Sequence, residues 1–214
     1  MPSIKLTYFN LRGRGELPRL LLAYARLQYE DERISVPWVD TKPWEELKPL
    51  TPFGQLPVLV WDKEEIAQCL GVSRFLAKEF GLAGRTNLEC AQADEIVYAV
   101  QDALAYGWDA MFEEEEGRKK KMLDKYRKEI VPNILQKVET RLIQRGGQFL
   151  VGNTLTWADI QTFFLCSELD LTWGQKVDDY PGVAGLVRRV GNLPYIQQWI
   201  QSRPATTGPD GGSL

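Results

Sequence analysis

Pro57 opens the feature that most narrows the folds open to this chain. Gln55, Leu56 and Pro57 lead into Val58–Trp61, an apolar, β-branched run that reads as a strand. Proline is tolerated at a strand's first residue, where its missing N–H need not break the ladder. Asp62, Lys63 and Glu64 make a turn, and Glu65–Ala67 reads as a short return strand. Gln68 and Cys69 then open a helical pattern, with Leu70, Val72, Phe75, Leu76 and Phe80 to one side. The hairpin brings Gln55 and Leu56 to one edge and Gln68 and Cys69 to the other. The first pair offers backbone groups that an extended peptide could pair with. The second offers free N–H groups at a helix start, a seat for a carboxylate.

Upstream, Ile4–Tyr8 alternates as a half-buried strand does, and Asn10–Gly15 is rich in turn formers. Glu16–Pro18 fits a helix's first turn, where proline is allowed and a carboxylate favours the dipole. Tyr29–Ile34 is a charged strand, expected near an edge. Residues 35–54 hold four prolines and two tryptophans, a loop with a helical piece at Trp44–Lys48. The resulting β-α-β-α-β-β-α order over residues 3–80 is a thioredoxin-like arrangement. Residues 82–87 read as a linker, and beyond it the periodicity is helical only. The expected organisation is an α/β thioredoxin-like domain over 1–81 and an all-α bundle over 88–207. Residues 208–214 would form a flexible tail.

Within the bundle, Pro132 is expected to kink its helix. Thr156 and Asp159 form a near capping box. Pro194–Trp199 reads as the last helix, with a frayed tail from Pro204. Glu113–Glu116 should weaken a helix C-terminus, with Gly117 at the bend before the next helix.

Composition removes several function classes. The chain has 214 residues, a net charge of -3 and no histidine. Histidine triads and histidine metal ligands are therefore excluded within the chain. No basic stripe suggests nucleic acid, and no apolar run approaches the ~20 residues that span a bilayer. Cys69, Cys90 and Cys166 are sparse and unpaired in pattern, which fits a reducing compartment. The expectation is a cytoplasmic protein, with no nucleic-acid or membrane partner.

Gln55-Leu56-Pro57, Gln68-Cys69-Leu70-Gly71-Val72-Ser73-Arg74-Phe75-Leu76-Ala77 and the opening Lys5–Glu16 segment resemble cytosolic glutathione transferases. The opening is similar to the sigma class, which includes glutathione-dependent prostaglandin D synthases. The likeness runs from about Ile4 to Pro204. It implies glutathione as co-substrate, a hydrophobic electrophile as second substrate, and a homodimer.

By that resemblance Tyr8 is the catalytic tyrosine, and Arg14 beside it stabilises negative charge. Trp44 and Lys48 would meet the glycyl end of glutathione, and Gln55 and Leu56 the cysteinyl backbone. Gln68 and Cys69 would hold the γ-glutamyl end, with Asp102 reaching its ammonium from the other subunit. Phe9, Leu104, Trp108, Gln161 and Leu165 would line the electrophile pocket. Two acids that can help bind a divalent ion in prostaglandin D synthases are replaced by Tyr98 and Gln101, so no metal is expected.

Cys69 stands where the family has serine. A helix start lowers a thiol's pKa, which would make Cys69 reactive toward glutathione disulfide. A small packing residue is the equal alternative. Besides conjugation, the same thiolate could serve prostaglandin isomerisation or peroxide reduction. A crystallin-like or ligand-carrying relative without activity is the reading of another class.

Overall fold

A computed structural model describes residues 2–174 and 176–208. The chain divides into two compact units. One takes the residues up to Phe80 together with the segment from Leu193 onward, and the other is Gly81–Asn192.

The first unit is built on a mixed sheet. Its strands are β1 (Ile4–Phe9), β2 (Glu30–Ile34), β3 (Val58–Trp61) and β4 (Glu64–Ala67), ordered β2-β1-β3-β4. β1 and β2 run parallel, and the other two pairings are antiparallel. The charged strand β2 is at an edge, as its sequence suggests, because only one side of it must be paired. Leu6 and Leu59, facing each other in register, are fully buried. α1 (Gly13–Tyr24) and α3 (Cys69–Glu79) pack together, and α2 (Lys42–Leu47) continues into a 3-10 turn at Lys48–Leu50.

α1 starts three residues before the expected Glu16. Gly13 turns the chain at a φ of 36°, which admits the earlier start, and Pro18 lies inside the helix. The carbonyl that Pro18 leaves without an α-helical partner belongs to Arg14, an exposed residue that water can serve.

α9 (Pro194–Ser202) packs on α1, whereas the sequence reading placed 88–207 in one helical domain. The reason is a buried carboxylate. Glu16 is 1% exposed and accepts from Trp199 Nε1 at 2.9 Å and from Arg203 Nη1 at 2.8 Å. The residues after Arg203 are not frayed as far as Gly208. The Thr207 amide donates to the Asn10 carbonyl at 2.8 Å, and Trp38 Nε1 donates to the Gly208 carbonyl. The rest of the expected tail, from residue 209, lies outside the described residues.

The second unit holds α4 (Asn87–Met111), α5 (Glu116–Lys125), α6 (Val131–Gln144), α7 (Trp157–Trp173) and α8 (Pro181–Gly191). Every residue from 156 to 166 is buried, so α7 is the unit's axis. Asp159 starts it, accepting from the amides of Thr156 (2.7 Å) and Leu150 (2.9 Å). The acidic block does not burden the end of α4. Glu115 instead caps α5, accepting from the amides of Gly117 and Arg118, where negative charge meets a helix N-terminus favourably. Pro132 sits in the first turn of α6, and the chain takes up its missing bond as a π-helical turn at Tyr126–Ile130.

Candidate active site

Tyr8 is the second-to-last residue of β1, and its side chain ends at the start of α1. Its hydroxyl oxygen accepts the Arg14 backbone N–H at 3.1 Å. A helix N-terminus favours negative charge, so this oxygen sits where partial charge is stabilised. Burial nonetheless dominates and pushes the Tyr8 pKa up to about 12, against the lowering pull of the Arg14 amide. Tyr8 therefore keeps its proton at neutral pH and can donate it in a hydrogen bond.

The ring of Tyr8 is fixed by two glycines. A Cβ on Gly15 would lie 2.4 Å from Tyr8 Cδ1, and one on Gly13 would lie 2.9 Å from the hydroxyl oxygen. The sequence reading took these glycines as turn formers. Their closer role is to let α1 approach the ring.

Around Tyr8 the fold gathers residues from distant parts of the sequence. Tyr8, Leu56 and Val58 form a buried cluster, with Phe9, Leu11, Trp44, Leu47 and Ala67 packed against it. Phe9 stands edge-on to Trp44, with ring centroids 5.3 Å apart. The Leu56–Pro57 peptide is cis. Lys48 is exposed, and its stem passes over Gly54, beside Gln55. Across the hairpin, Gln68 Nε2 donates to Gln55 Oε1 at 2.8 Å, so the two expected peptide-holding edges do meet. Gln68 adopts a φ of 71°, which turns the chain from β4 into α3 and leaves Cys69 as that helix's first residue. Arg14 is exposed at the rim.

For Cys69 the surroundings bear on the choice between a reactive thiol and a small packing residue. Cys69 keeps some exposed surface, yet the protein packed around its sulfur pushes the pKa up to about 12, and Arg14 and Ser73 only partly oppose this. Desolvation of a thiolate outweighs the helix start, so the thiol stays protonated. We expect Cys69→Ser to tighten glutathione binding by about 1 kcal/mol, the net worth of one hydrogen bond. Inactivation by oxidised glutathione should be slow in parent and variant alike. Rapid inactivation of the parent that the serine variant escapes would restore the reactive reading.

The second unit places its expected residues differently. Asp102 is exposed on α4, and Trp108 is half-buried. Leu104, Gln161 and Leu165 have no exposed surface. They belong to the core of α4 and α7, and Gln161 Nε2 donates to Gln101 Oε1 at 3.1 Å. The family resemblance implies a pocket wall at these positions, and in this structure they are core. Of the five expected pocket residues, Phe9 and Trp108 keep accessible surface.

Three charged residues between Leu11 and Leu20 are buried, which their sequence context does not predict. Arg12 is buried at 6% exposure, and Glu16 and Arg19 are buried completely or nearly so. Charged residues beside two glycines gave no sign of burial. The apolar run Leu20–Leu22 directly after Arg19 was the available hint.

Residues 4–78 match the family model described as glutathione S-transferase, N-terminal domain, and residues 101–203 match glutathione S-transferase, C-terminal domain. The chain is 39% identical over 208 residues to hematopoietic prostaglandin D synthase of Gallus gallus, covering 96% of this chain and 99% of that one. It is 35% identical over 213 residues to glutathione S-transferase 1 of Ascaris suum, with the same coverages of 96% and 99%. The solved structure of prostaglandin synthase D of Nilaparvata lugens superposes with a TM-score of 0.86. It is 33% identical, covering 95% of this chain and 99% of that one.

Proposed function

The chain belongs to the glutathione S-transferase family, and from that premise we propose that it ionises the thiol of glutathione and adds the sulfur to hydrophobic electrophiles. The observation that carries this reading is the protonated Tyr8 hydroxyl held at the N-terminus of α1. Because the Arg14 N–H satisfies the oxygen, the hydroxyl proton is free to point at a bound sulfur. A thiolate accepting that hydrogen bond is favoured over a thiol, so more nucleophile exists at neutral pH. Arg14 at the rim adds positive charge nearby.

In this reading the paired Gln55 and Gln68 hold the peptide between them. Leu56 offers its backbone to the cysteinyl residue, and Trp44 and Lys48 receive the glycyl carboxylate. Cys69 lends its amide to the γ-glutamyl carboxylate, and Asp102 of a second copy would take the ammonium. Phe9, next to Tyr8, is left to face the electrophile. Tyr98 and Gln101 offer no carboxylate beside Asp102, which supports a site that works without a metal. The Tyr8–Arg14 context supports the sigma class, a homodimer and a cytoplasmic setting, with detoxification as the role. Among the described residues no helix is long and apolar enough to cross a membrane.

The names of relatives favour prostaglandin isomerisation as a second reading with the same thiolate. A conjugation assay with glutathione and a generic aromatic electrophile separates the two. Product formation is the expected result. Isomerisation without conjugation would transfer the reading to the alternative, and the absence of both in folded protein would overturn it. Sedimentation should give a dimer, and fully active monomers would remove Asp102 from the site.

A further inference from the structure

Arg19 is fully buried in α1, and four groups meet its guanidinium. Nε donates to Asp31 Oδ1 at 2.9 Å. Nη1 donates to the Leu11 carbonyl at 2.8 Å and lies 3.7 Å from Glu16 Oε2. The guanidinium carbon stands 5.7 Å from the centroid of the Tyr8 ring, within cation–π range.

Its carboxylate partners are shared. Asp31 Oδ2 also accepts from Arg33 at 2.7 Å, and Glu16 Oε1 accepts from Arg203 at 2.8 Å. Each carboxylate is thus shared with a second guanidinium, so the charge of Arg19 beside the Tyr8 ring is only partly offset. The groups that face Tyr8 are Arg14 and Arg19 from α1 and the Cys69 thiol from α3. Those that face Arg19 are Glu16, Asp31 and Tyr29. The Leu11 carbonyl belongs to the loop that leads directly to the Arg14 amide, the donor to the Tyr8 oxygen.

We propose that Arg19 is a positioning residue for thiol activation: it clamps the Leu11–Arg14 loop and sets a buried positive charge against the Tyr8 ring, so that the hydroxyl donates more strongly to the sulfur. This rests on the reading of Tyr8 given above. A cation beside a phenol draws electron density from its oxygen and stabilises charge shared along the O–H···S bond. The thiol proton leaves to solvent, Tyr8 keeps its own, and no bond to the protein forms.

The test uses the full chain with glutathione and an aromatic electrophile. It compares Arg19→Met, Arg19→Lys and the paired Arg19→Met with Asp31→Asn, which removes Arg19 together with its nearest carboxylate and leaves Glu16 with Arg203 and Arg33 with Asn10. The pH dependence of kcat/KM and the ultraviolet absorbance of bound thiolate are measured for each, with Tyr8 and again with Tyr8→Phe. With Tyr8 present, loss of the guanidinium should raise the apparent pKa of the bound thiol by about half a unit to one unit. Turnover at neutral pH should fall about three- to tenfold and recover at higher pH. Arg19→Lys, which keeps the charge, should restore the profile. In the Tyr8→Phe background none of the substitutions should move it further. If Arg19→Met does not fold, the paired variant gives the same reading.

Lower turnover with an unshifted profile would overturn the proposal, as would an equal shift with and without the Tyr8 hydroxyl. If Tyr8→Phe itself left turnover unchanged, the reading of Tyr8 would fail first, and the result would be told apart on that arm alone.

Discussion

Tyr8→Phe is expected to lower conjugation turnover by roughly 10²–10³-fold, the usual cost of removing one preorganised donor to a developing anion. Glutathione affinity should change little, because in the proposed reading the hydroxyl acts on the sulfur while Gln55, Leu56 and Gln68 hold the peptide. The fold should also survive. The ring that packs with Leu56 and Val58 is retained, and among the described residues the bond lost in the free protein is that from the Arg14 amide to the Tyr8 oxygen. Steady-state kinetics with a glutathione titration checks both halves. Turnover equal to the parent's would remove Tyr8 from the chemistry.

Gly15→Ala is expected to match that loss without touching a functional group. The new methyl would fall 2.4 Å from Tyr8 Cδ1 and 2.7 Å from Cγ, closer than carbon atoms can approach. Either the ring turns away or α1 retreats, and both separate the Tyr8 oxygen from the Arg14 amide. Overpacking of this kind costs about 1–3 kcal/mol of stability. A misplacement of about 1 Å can cost 10²-fold in rate. Thermal unfolding and turnover measured on the same preparation check it. A variant with parental activity would mean that the ring has slack that the packing around Tyr8 does not suggest. Gly152→Ala serves as the control, since its φ of 57° brings backbone strain at a turn in the other unit.

These two predictions differ in how far the sequence could reach them. The hairpin, the α-β order and the switch to helices were legible because each rests on local periodicity and turn chemistry. Tyr8 was legible only through its neighbours in the motif. The glycines were visible as glycines, but nothing local says which aromatic ring a missing Cβ makes room for. Glu16 looked like an ordinary acid in a helix's first turn. Its burial depends on Trp199 and Arg203, more than 180 residues away.

α8 went unread for the same reason. Gly182 and Gly185 next to Pro181 resemble loop, yet the helix is started from outside by Glu139. This buried carboxylate accepts from the amides of Gly182 and Val183 at 2.9 and 2.8 Å. Glycine at 182 leaves room for that approach, since a Cβ there would lie 2.8 Å from Glu139 Oε2 and push the carboxylate aside. Leu104 was legible from the helical period as inward, whereas Gln161 and Leu165 came only through the resemblance, and neither route told cavity from core. An inward face on a helix packed on several sides reads alike whether it meets a cavity or a neighbour.

The docking of the segment after Leu193 on the first unit makes that unit discontinuous in the chain. Asn10, two residues past Tyr8, accepts from Thr207, and Glu16 waits for Trp199 and Arg203. During synthesis the ribosome therefore completes every helix of the other unit before it delivers the pieces that close the one bearing the tyrosine. Until then Glu16 has Arg19 as its near partner and lacks the other two. The site is thus among the last parts of the molecule to be finished, although its tyrosine is among the first residues made.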